Sequence, residues 1–452
     1  MTTLSLTSRE LPLDDSWDVI VAGGGPAGCA AAVAAAREGA RTLLIEANGA
    51  LGGMGTLGLV PFFCGYADGE KFLARGVAEQ VRLRLIEGMP HMRKPEPDWL
   101  QFWPSIDPER LKRIYDDLVT AAGATVLFHT QLAGVEKGPD GVDALLVANK
   151  SGLSALRAPV YVDCTGDGDL ATWAGAEFEQ GDAAGALQPA THCFMLANAD
   201  VYALEKGPEP GWTGTTEAVR VAMKSGRYPL IVDLHNCVRM IGPGTYGFNT
   251  GHVYGVDATD PASVTRALFQ GRQMAAQYRE ALAALEPAYA NAFLAATGAV
   301  LGVRETRRIT GYYVLTLADY LARANFPDEI CRNSYNIDVH PTAADPTAAD
   351  KDNETRLREI AAETHDYAPG ESYGVPYRCL TPRGLRNVLV AGRCISTDRA
   401  VNGSIRIMAC CLTTGEAAGV AAALAAPGSG DVHAVDTADL RARLRAHSAY
   451  LP

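Results

Sequence analysis

The chain has 452 residues, 48% of them apolar and 20% charged, with a formal net charge of −12. That apolar share supports a sizeable core and excludes wholesale disorder, and at roughly 150 residues per domain the length allows about three domain-sized units. The acidic balance argues against nucleic acid or an anionic membrane surface as partner.

Met1 to Ser16 carries neither a basic n-region nor an apolar h-region, so no export signal is expected. No stretch reads as a membrane span: the apolar run Ala27 to Ala36 is short and ends at Arg37-Glu38. The ten cysteines include no CxxC pair. Reduced thiols and a cytoplasmic location are the expectation.

Trp17 to Ala22 reads as a buried strand running into Gly23-Gly24-Gly25-Pro26-Ala27-Gly28, a G-x-G-x-x-G run. An Ala-rich helix follows to Glu38, Gly39-Ala40 closes it, and a second strand, Arg41 to Ile45, ends on Glu46. Gly23 permits the tight turn, Gly25 lets the backbone approach a pyrophosphate, and Gly28 lets helix and strand pack closely. The phosphates then lie at the positive helix end. Glu46 stands where a carboxylate accepts the ribose hydroxyls, which disfavours a 2′-phosphate and hence NADP. The pattern signifies a dinucleotide, with NAD and FAD both open.

A Gly-rich loop, Leu51-Gly52-Gly53-Met54-Gly55-Thr56-Leu57-Gly58, comes next and suits a chain that wraps along an extended cofactor. Helical spacing is expected over Glu70–Gly88 and Asp107–Ala122, the latter with Asp107 as N-cap and Pro108 at the first helical position. Strand-like runs follow at Thr125–Thr130, Gly141–Asn149 and Ala155–Asp163. Ser263–Leu285 and Ala288–Thr297 read as helices, and Pro341 to Asn353 as an exposed loop with helical spacing resuming at Thr355. Val388 to Ala391 is an apolar strand, Ile407 to Ala425 a long Ala- and Gly-rich helix, and Asp436 to His447 a charged surface helix.

The Gly-rich loop, Tyr161 to Asp169, Gly302 to Ile309, Tyr335 to His340, Val375 to Leu380, Val388 to Ser396 and Gly403 to Met408 together resemble the FAD-dependent oxidoreductase family of the glutathione-reductase-like flavoproteins. The resemblance spans about residues 17 to 425. It departs at Ala409-Cys410-Cys411, and residues 203 to 260 match nothing in it. It implies an α/β fold: a Rossmann-like FAD-binding domain, with a parallel sheet and a β-meander, plus an inserted α+β substrate domain. The expected division is 14–185 and 375–430 for the FAD domain, 186–374 for the substrate domain and 431–452 for a terminal helix.

The cofactor implied is FAD. Beside Gly23, Gly25, Gly28 and Glu46, the resemblance places Pro26, Ala27, Ala47, Gly53, Met54, Thr56, Leu132, Thr165, Gly166, Asp167, Gly392, Arg393, Ser404 and Met408 at the cofactor, Leu132 flanking the adenine. The helix starting near Met408 would set its positive end against the flavin.

Flavin chemistry leaves the protein to place a substrate carbon at N5 and to manage one proton, a task suited to His at neutral pH. His340, with Asp338 two residues before it, is the first candidate. His192 is either a specific substrate contact or core filler. Among Arg304, Arg307 and Arg308, Arg304 is preferred for fixing a substrate oxygen, the alternative being a structural ion pair with Glu305. Arg399 and Asn402 are placed on the flavin-face loop, and Arg406 as an anchor for cofactor or backbone. Cys64 could tether flavin but reads better as a buried apolar thiol.

No metal constellation is legible, since the nine histidines are dispersed with no HExxH. The function expected is hydride transfer between a small polar, hydroxylated or sugar-like substrate and flavin N5, with the direction and the electron acceptor open. Alternatives are an FAD-binding electron-transfer subunit serving a protein partner, and a flavin-dithiol reductase using Cys410-Cys411. The fold resemblance is compatible with a homodimer.

Overall fold

Short strands that are buried end to end belong in parallel sheets covered on both faces, and Val19–Ala22, Thr42–Ile45 and Val160–Asp163 are of that kind. In the computed structural model, which describes residues 10–89, 103–206, 215–344 and 367–452, they form the middle of a parallel sheet. Its order is Val388–Val390, Val160–Asp163, Val19–Ala22, Thr42–Ile45, Thr125–Leu127. The outer strand Val388–Val390 comes from the far end of the chain, so the cofactor half is discontinuous.

An antiparallel meander, Gln131–Lys137, Val142–Asn149 and Gly152–Leu156, branches from the sheet, and Leu13–Asp14 adds to its edge. The run Ala155–Asp163, expected as one strand, is two. Pro159 lies in the break, where it needs no ladder partner, and the chain passes there from meander to parallel sheet.

Two helices cover one face: Pro26–Arg37, opened by Pro26 at the first helical position, and Met408–Ala425. They cross backbone to backbone. A Cβ on Gly415 would lie 2.1 Å from Ala27 O, and one on Gly419 2.2 Å from Ala31 O. Met408–Ala425 is apolar and long enough to cross a membrane, contrary to the sequence reading, but 89% of it is buried inside this fold. Pro108–Ala121 begins as expected, with the Asp107 side chain accepting from Glu109 and Arg110 N–H groups.

A second core, with residues from Ala190 to Leu301, is built on Phe194, Phe248, Tyr278 and Leu196. Its antiparallel sheet runs Asn236–Gly242, Thr245–Thr250, Phe194–Ala197, Phe293–Thr297. The helix Pro261–Leu285 is capped by Asp260. Residues 288–297, expected as a helix, form a 3-10 turn at Pro287–Tyr289 and then the edge strand. The helix expected from Glu70 begins at Val77. Residues from Ile309 onward, including Leu315, Tyr320 and Ile330, pack into the first core, so the inserted core is shorter than the 186–374 span suggests. Thr355 and most of the loop before it lie outside the described residues.

Candidate active site

The strand Val19–Ala22 delivers the chain to Gly23 at φ +100°, where a Cβ would be 2.5 Å from Cys164 O. A Cβ on Gly28 would meet Gly23 O at 1.7 Å, so helix and strand touch through their backbones there. Gly25 differs: nothing lies within 4 Å of where its Cβ would point. Its backbone borders open space at the helix N-terminus, and no side chain caps that end. Met408–Ala425 likewise starts without a side-chain cap. Two positive helix ends lacking a partner of their own suit an anionic dinucleotide.

Glu46 is buried, and its two oxygens accept from Gly24 N at 2.7 Å and from Asn48 N and Nδ2 at 2.8 and 2.7 Å. The carboxylate thus braces the fingerprint loop against the second strand, and Ala47 beside it is exposed. Gly53 backs onto Gly25, its Cβ position 3.1 Å from Gly25 Cα. Thr56 Oγ1 donates to Leu51 O at 2.7 Å, which closes the Gly-rich loop, and Met54 remains half-buried on it. Leu132 packs, half-buried, against the first core.

At the ends of the next two strands, Thr165-Gly166-Asp167 and Gly392-Arg393 are tied by Arg393 Nη2 donating to Asp167 Oδ1 at 2.9 Å. Behind them Asp163, fully buried, accepts from Thr165 N and Oγ1 and from Ala171 N. Burial pushes its carboxyl up to about 6 against the pull of those bonds. The segment from Arg393 to Arg406 carries six buried polar atoms with no hydrogen-bond partner: Arg393 Nη1, Ser396 Oγ, Thr397 Oγ1, Arg399 Nη2, Asn402 Oδ1 and Arg406 Nε. Unsatisfied buried groups in a native fold call for a partner. With the open front of Gly25 and the uncapped helix ends, they fit a large polar cofactor. Ser404 takes no part in that opening. It is fully buried, its hydroxyl in a network with Asn333 Nδ2 and the Tyr373 hydroxyl.

Polar groups from both cores meet beside this cradle. His235 precedes the strand Asn236–Gly242 and His252 follows its hairpin partner, so the hairpin sets the two rings in a stack with centroids 4.4 Å apart. His340 closes against them edge-on, its Nδ1 2.9 Å from His252 Nε2. Asp233 holds His252 Nδ1 at 3.0 Å and accepts the Tyr254 hydroxyl at 3.0 Å. Asp338 Oδ1 lies 3.2 Å from His340 Nε2, while Arg406 Nη2 donates to Asp338 O at 2.7 Å and Oδ2 at 3.1 Å. Arg304 is buried. Its Nη1 donates to Pro189 O and Thr191 Oγ1, each at 2.8 Å, and its Nη2 lies 3.0 Å from His235 Nε2.

The electrostatics follow from burial and from two arginines. Burial, then the Arg304 charge, push the His340 imidazolium down to about 3. Burial and the His252 and Arg304 charges hold His235 well below the usual histidine range. Arg304 is itself pushed down to about 10 by burial and by Arg406. Burial raises the Asp338 carboxyl, but His340 and Arg406 outweigh it and leave the group well below the ordinary carboxylate range. Burial lowers His252 too, against the pull of Asp233, so the neutral form is favoured in all three rings.

The four residues expected to do chemistry separate here. His340 and Arg304 stand together in the cluster. His192 does not join them: it is buried in the inserted core, its Nε2 donating to Gly298 O at 2.8 Å, with the Gly271 backbone against its Cβ. Arg399 pairs through Nε with both oxygens of Glu305, at 3.2 Å each, and Glu305 also binds Arg308 at 2.6 Å. That ion cluster borders a depression of about 540 Å³ lined by residues 179–183.

Sequence reading missed Asp233, His235, His252 and Tyr254. The three histidines far apart in the chain converge so that their nitrogens lie within 4.8 Å of one another. The signal that could have found two of them is the turn Gly242-Pro243-Gly244 between two strand-like runs, with His235 and His252 at the outer ends. No metal constellation was read from the sequence, yet the three rings have the spacing of a group able to hold an ion; against that, Arg304 Nη2 already engages His235 Nε2 at 3.0 Å, and a fixed cation there opposes a second.

The sequence pattern of the FAD dependent oxidoreductase family matches residues 18–444. The chain belongs to that family; it is an FAD-dependent oxidoreductase, and its cofactor is FAD. Solved structures similar to it include a geranylgeranyl bacteriochlorophyll reductase-like protein from Thermoplasma acidophilum, at 14% identity over 96% of this chain and 83% of that one, TM-score 0.46. Another is the anhydrotetracycline hydroxylase OxyS from Streptomyces rimosus, at 14% identity over 95% and 65%, TM-score 0.44. A third is the flavin-dependent monooxygenase PieE in complex with FAD and substrate, at 14% identity over 66% and 51%, TM-score 0.42.

Proposed function

We propose that this enzyme oxidises a hydroxyl on a small polar, sugar-like or hydroxy-acid substrate, passing a hydride from its carbon to flavin N5. The observation that carries the reading is that His340, a neutral imidazole, and Arg304, a buried guanidinium, both border the His235 ring where the two cores meet. FAD, when bound, supplies the two-electron acceptor for that hydride. His340 takes the hydroxyl proton, and Arg304 donates to the oxygen as it becomes a carbonyl. Arg393, Asn402 and the two uncapped helix ends hold the cofactor. The rings of Phe62 and Trp103 stack with centroids 5.8 Å apart, and Tyr335 lies 6.0 Å from Trp103.

The motifs Leu51 to Gly58, Arg304 to Arg308 and Gly403 to Met408 support a place in the glutathione-reductase-like branch of flavoproteins. All ten cysteines are free thiols, which accords with work in the cytoplasm. An electron-transfer subunit has no need of the inserted core. A dithiol reductase needs two thiols on one face, but adjacent helical residues point about 100° apart. Cys410 interacts with the thiol of Cys331, and Cys411 Sγ donates to Arg406 O.

Anaerobic bleaching of the flavin by a panel of polyols, hydroxy acids and amines tests the reading. Bleaching by hydroxylated compounds is expected. Bleaching by amines alone, or by nicotinamide donors alone, overturns it.

A further inference from the structure

We propose that His252 and His340 act as one base, taking up a single proton at the outer end of the chain Asp233, His252, His340, Asp338. This rests on the hydroxyl-oxidising reading above and deepens it.

The argument is a count. The chain has three gaps between acceptor atoms: Asp233 to His252 at 3.0 Å, His252 to His340 at 2.9 Å, and His340 to Asp338 at 3.2 Å. Each gap needs one proton to be a hydrogen bond. With ionised carboxylates and neutral rings, each imidazole brings one N–H. Two protons serve three gaps, so at least one gap is empty in every tautomer.

Geometry locates the empty gap. The Tyr254 hydroxyl and the two short distances favour His252 Nδ1–H on Asp233 and His340 Nδ1–H on His252 Nε2. The lone pair left over is His340 Nε2, at the longest gap. That end is also the more open: the side chains of Asp233 and His252 are 10% and 6% exposed, those of His340 and Asp338 14% and 32%. Gln188 Oε1 accepts from His340 N at 3.0 Å and fixes the ring's backbone.

The charged and titratable groups facing the pair come from both cores. Asp233, His235 and Tyr254 belong to the inserted one, Arg304 to the segment after it, and Asp338 and Arg406 to the cofactor side. Two carboxylates and two guanidinium groups cancel, so no net field holds a proton on the resting pair. Burial and Arg304 hold His340 neutral in the same sense. In the step itself the substrate O–H bond breaks, its electron pair stays on oxygen, and the proton forms an N–H bond at His340 Nε2. The new positive charge is shared along the bonded rings, and Asp233 and Asp338 stabilise it from either end.

Two readouts on the FAD-loaded enzyme test this. The first does not depend on turnover. Ring nitrogens of ¹⁵N-histidine-labelled protein are followed by NMR from pH 8 downward. His252 and His340 should each show one bare nitrogen at pH 8 and gain one proton jointly, and Asp233→Asn should move that uptake to lower pH with FAD content unchanged. Three bridging protons at pH 8, two independent titrations, or stoichiometric Zn²⁺ or Mn²⁺ uptake abolished by His252→Asn overturn the proposal. The second is the limiting rate of anaerobic flavin reduction. Asp233→Asn weakens the base, so the rate should fall at least about tenfold and its acid limb move to lower pH, with KM little changed. An unmoved limb counts against the pair. If no hydroxylated compound reduces the flavin, the functional reading fails, and the nitrogen titration still decides the pair.

Discussion

Gly415 and Ala27 are in backbone contact: a Cβ on Gly415 would stand 2.1 Å from Ala27 O. The contact packs the first turn of Pro26–Arg37 against the second turn of Met408–Ala425. Gly415→Ala must push them apart, and overpacking of this kind costs about 1–3 kcal/mol or more. Thermal unfolding of the holoenzyme should move down, with weaker FAD retention. An unchanged transition would show that the helices do not need this spacing.

The fingerprint glycines should respond differently to one added methyl. Gly25→Ala has a permitted backbone, φ −69°, and meets no protein atom, so the chain should fold normally yet lose FAD affinity. Gly28→Ala would drive a methyl to 1.7 Å from Gly23 O and should fail to fold. Circular dichroism with FAD titration separates the two. Normal FAD affinity in Gly25→Ala would mean that the cofactor does not approach there.

Arg304 pushes His340 down, so Arg304→Gln should let the imidazolium form at higher pH. The acid limb of flavin reduction should therefore move upward, the opposite sense to Asp233→Asn. Arg304→Lys keeps the charge but not the planar fork, and kcat/KM should fall on the order of 10²-fold. A limb that stays in place in Arg304→Gln would separate Arg304 from the base.

Glu416 lies in the core of the long C-terminal helix, where its Oε2 accepts from Val77 N at 3.0 Å and its Oε1 has no partner. Burial raises its carboxyl from 4.5 to about 7. The folded state therefore binds this proton more tightly than the unfolded chain. The stabilisation is full below about pH 4.5 and is lost as pH rises towards 7. The shift corresponds to about 3 kcal/mol. Glu416→Gln should flatten that loss and be the more stable variant at pH 8. Parallel pH slopes in urea melts of the two proteins would contradict the assignment.

Replacing Cys410 and Cys411 together by Ala should leave flavin reduction by the true substrate intact. Loss of reduction in a folded, FAD-loaded double variant would revive a thiol mechanism.

The cofactor half was legible because its constraints are local. Strand, glycines, helix and Glu46 follow one another between Trp17 and Glu46, and Gly28 answers to Gly23 five residues before it. Other elements were misread for physical reasons. Residues 288–297 carry helical composition, but pairing with Phe194–Ala197 holds Phe293–Thr297 extended. Glu46, expected to face a ribose, also braces the fingerprint loop by accepting from Gly24 N and Asn48 N. His340, with Asp338 beside it, and Arg304 were singled out from the sequence, but His235, His252 and Asp233 were not. The second and third rings come from the two ends of one hairpin, and only the register Asn236 to Thr250 brings His235 beside His252.

The parallel sheet is finished by Val388–Val390 laid against Val160–Asp163. During synthesis the ribosome has therefore released the fingerprint, the Gly-rich loop and the whole inserted core before the last wall of the cradle exists. Capture of FAD is a late event in the life of the nascent chain. Until then the first half waits with Met408–Ala425, its most apolar cover, still unmade.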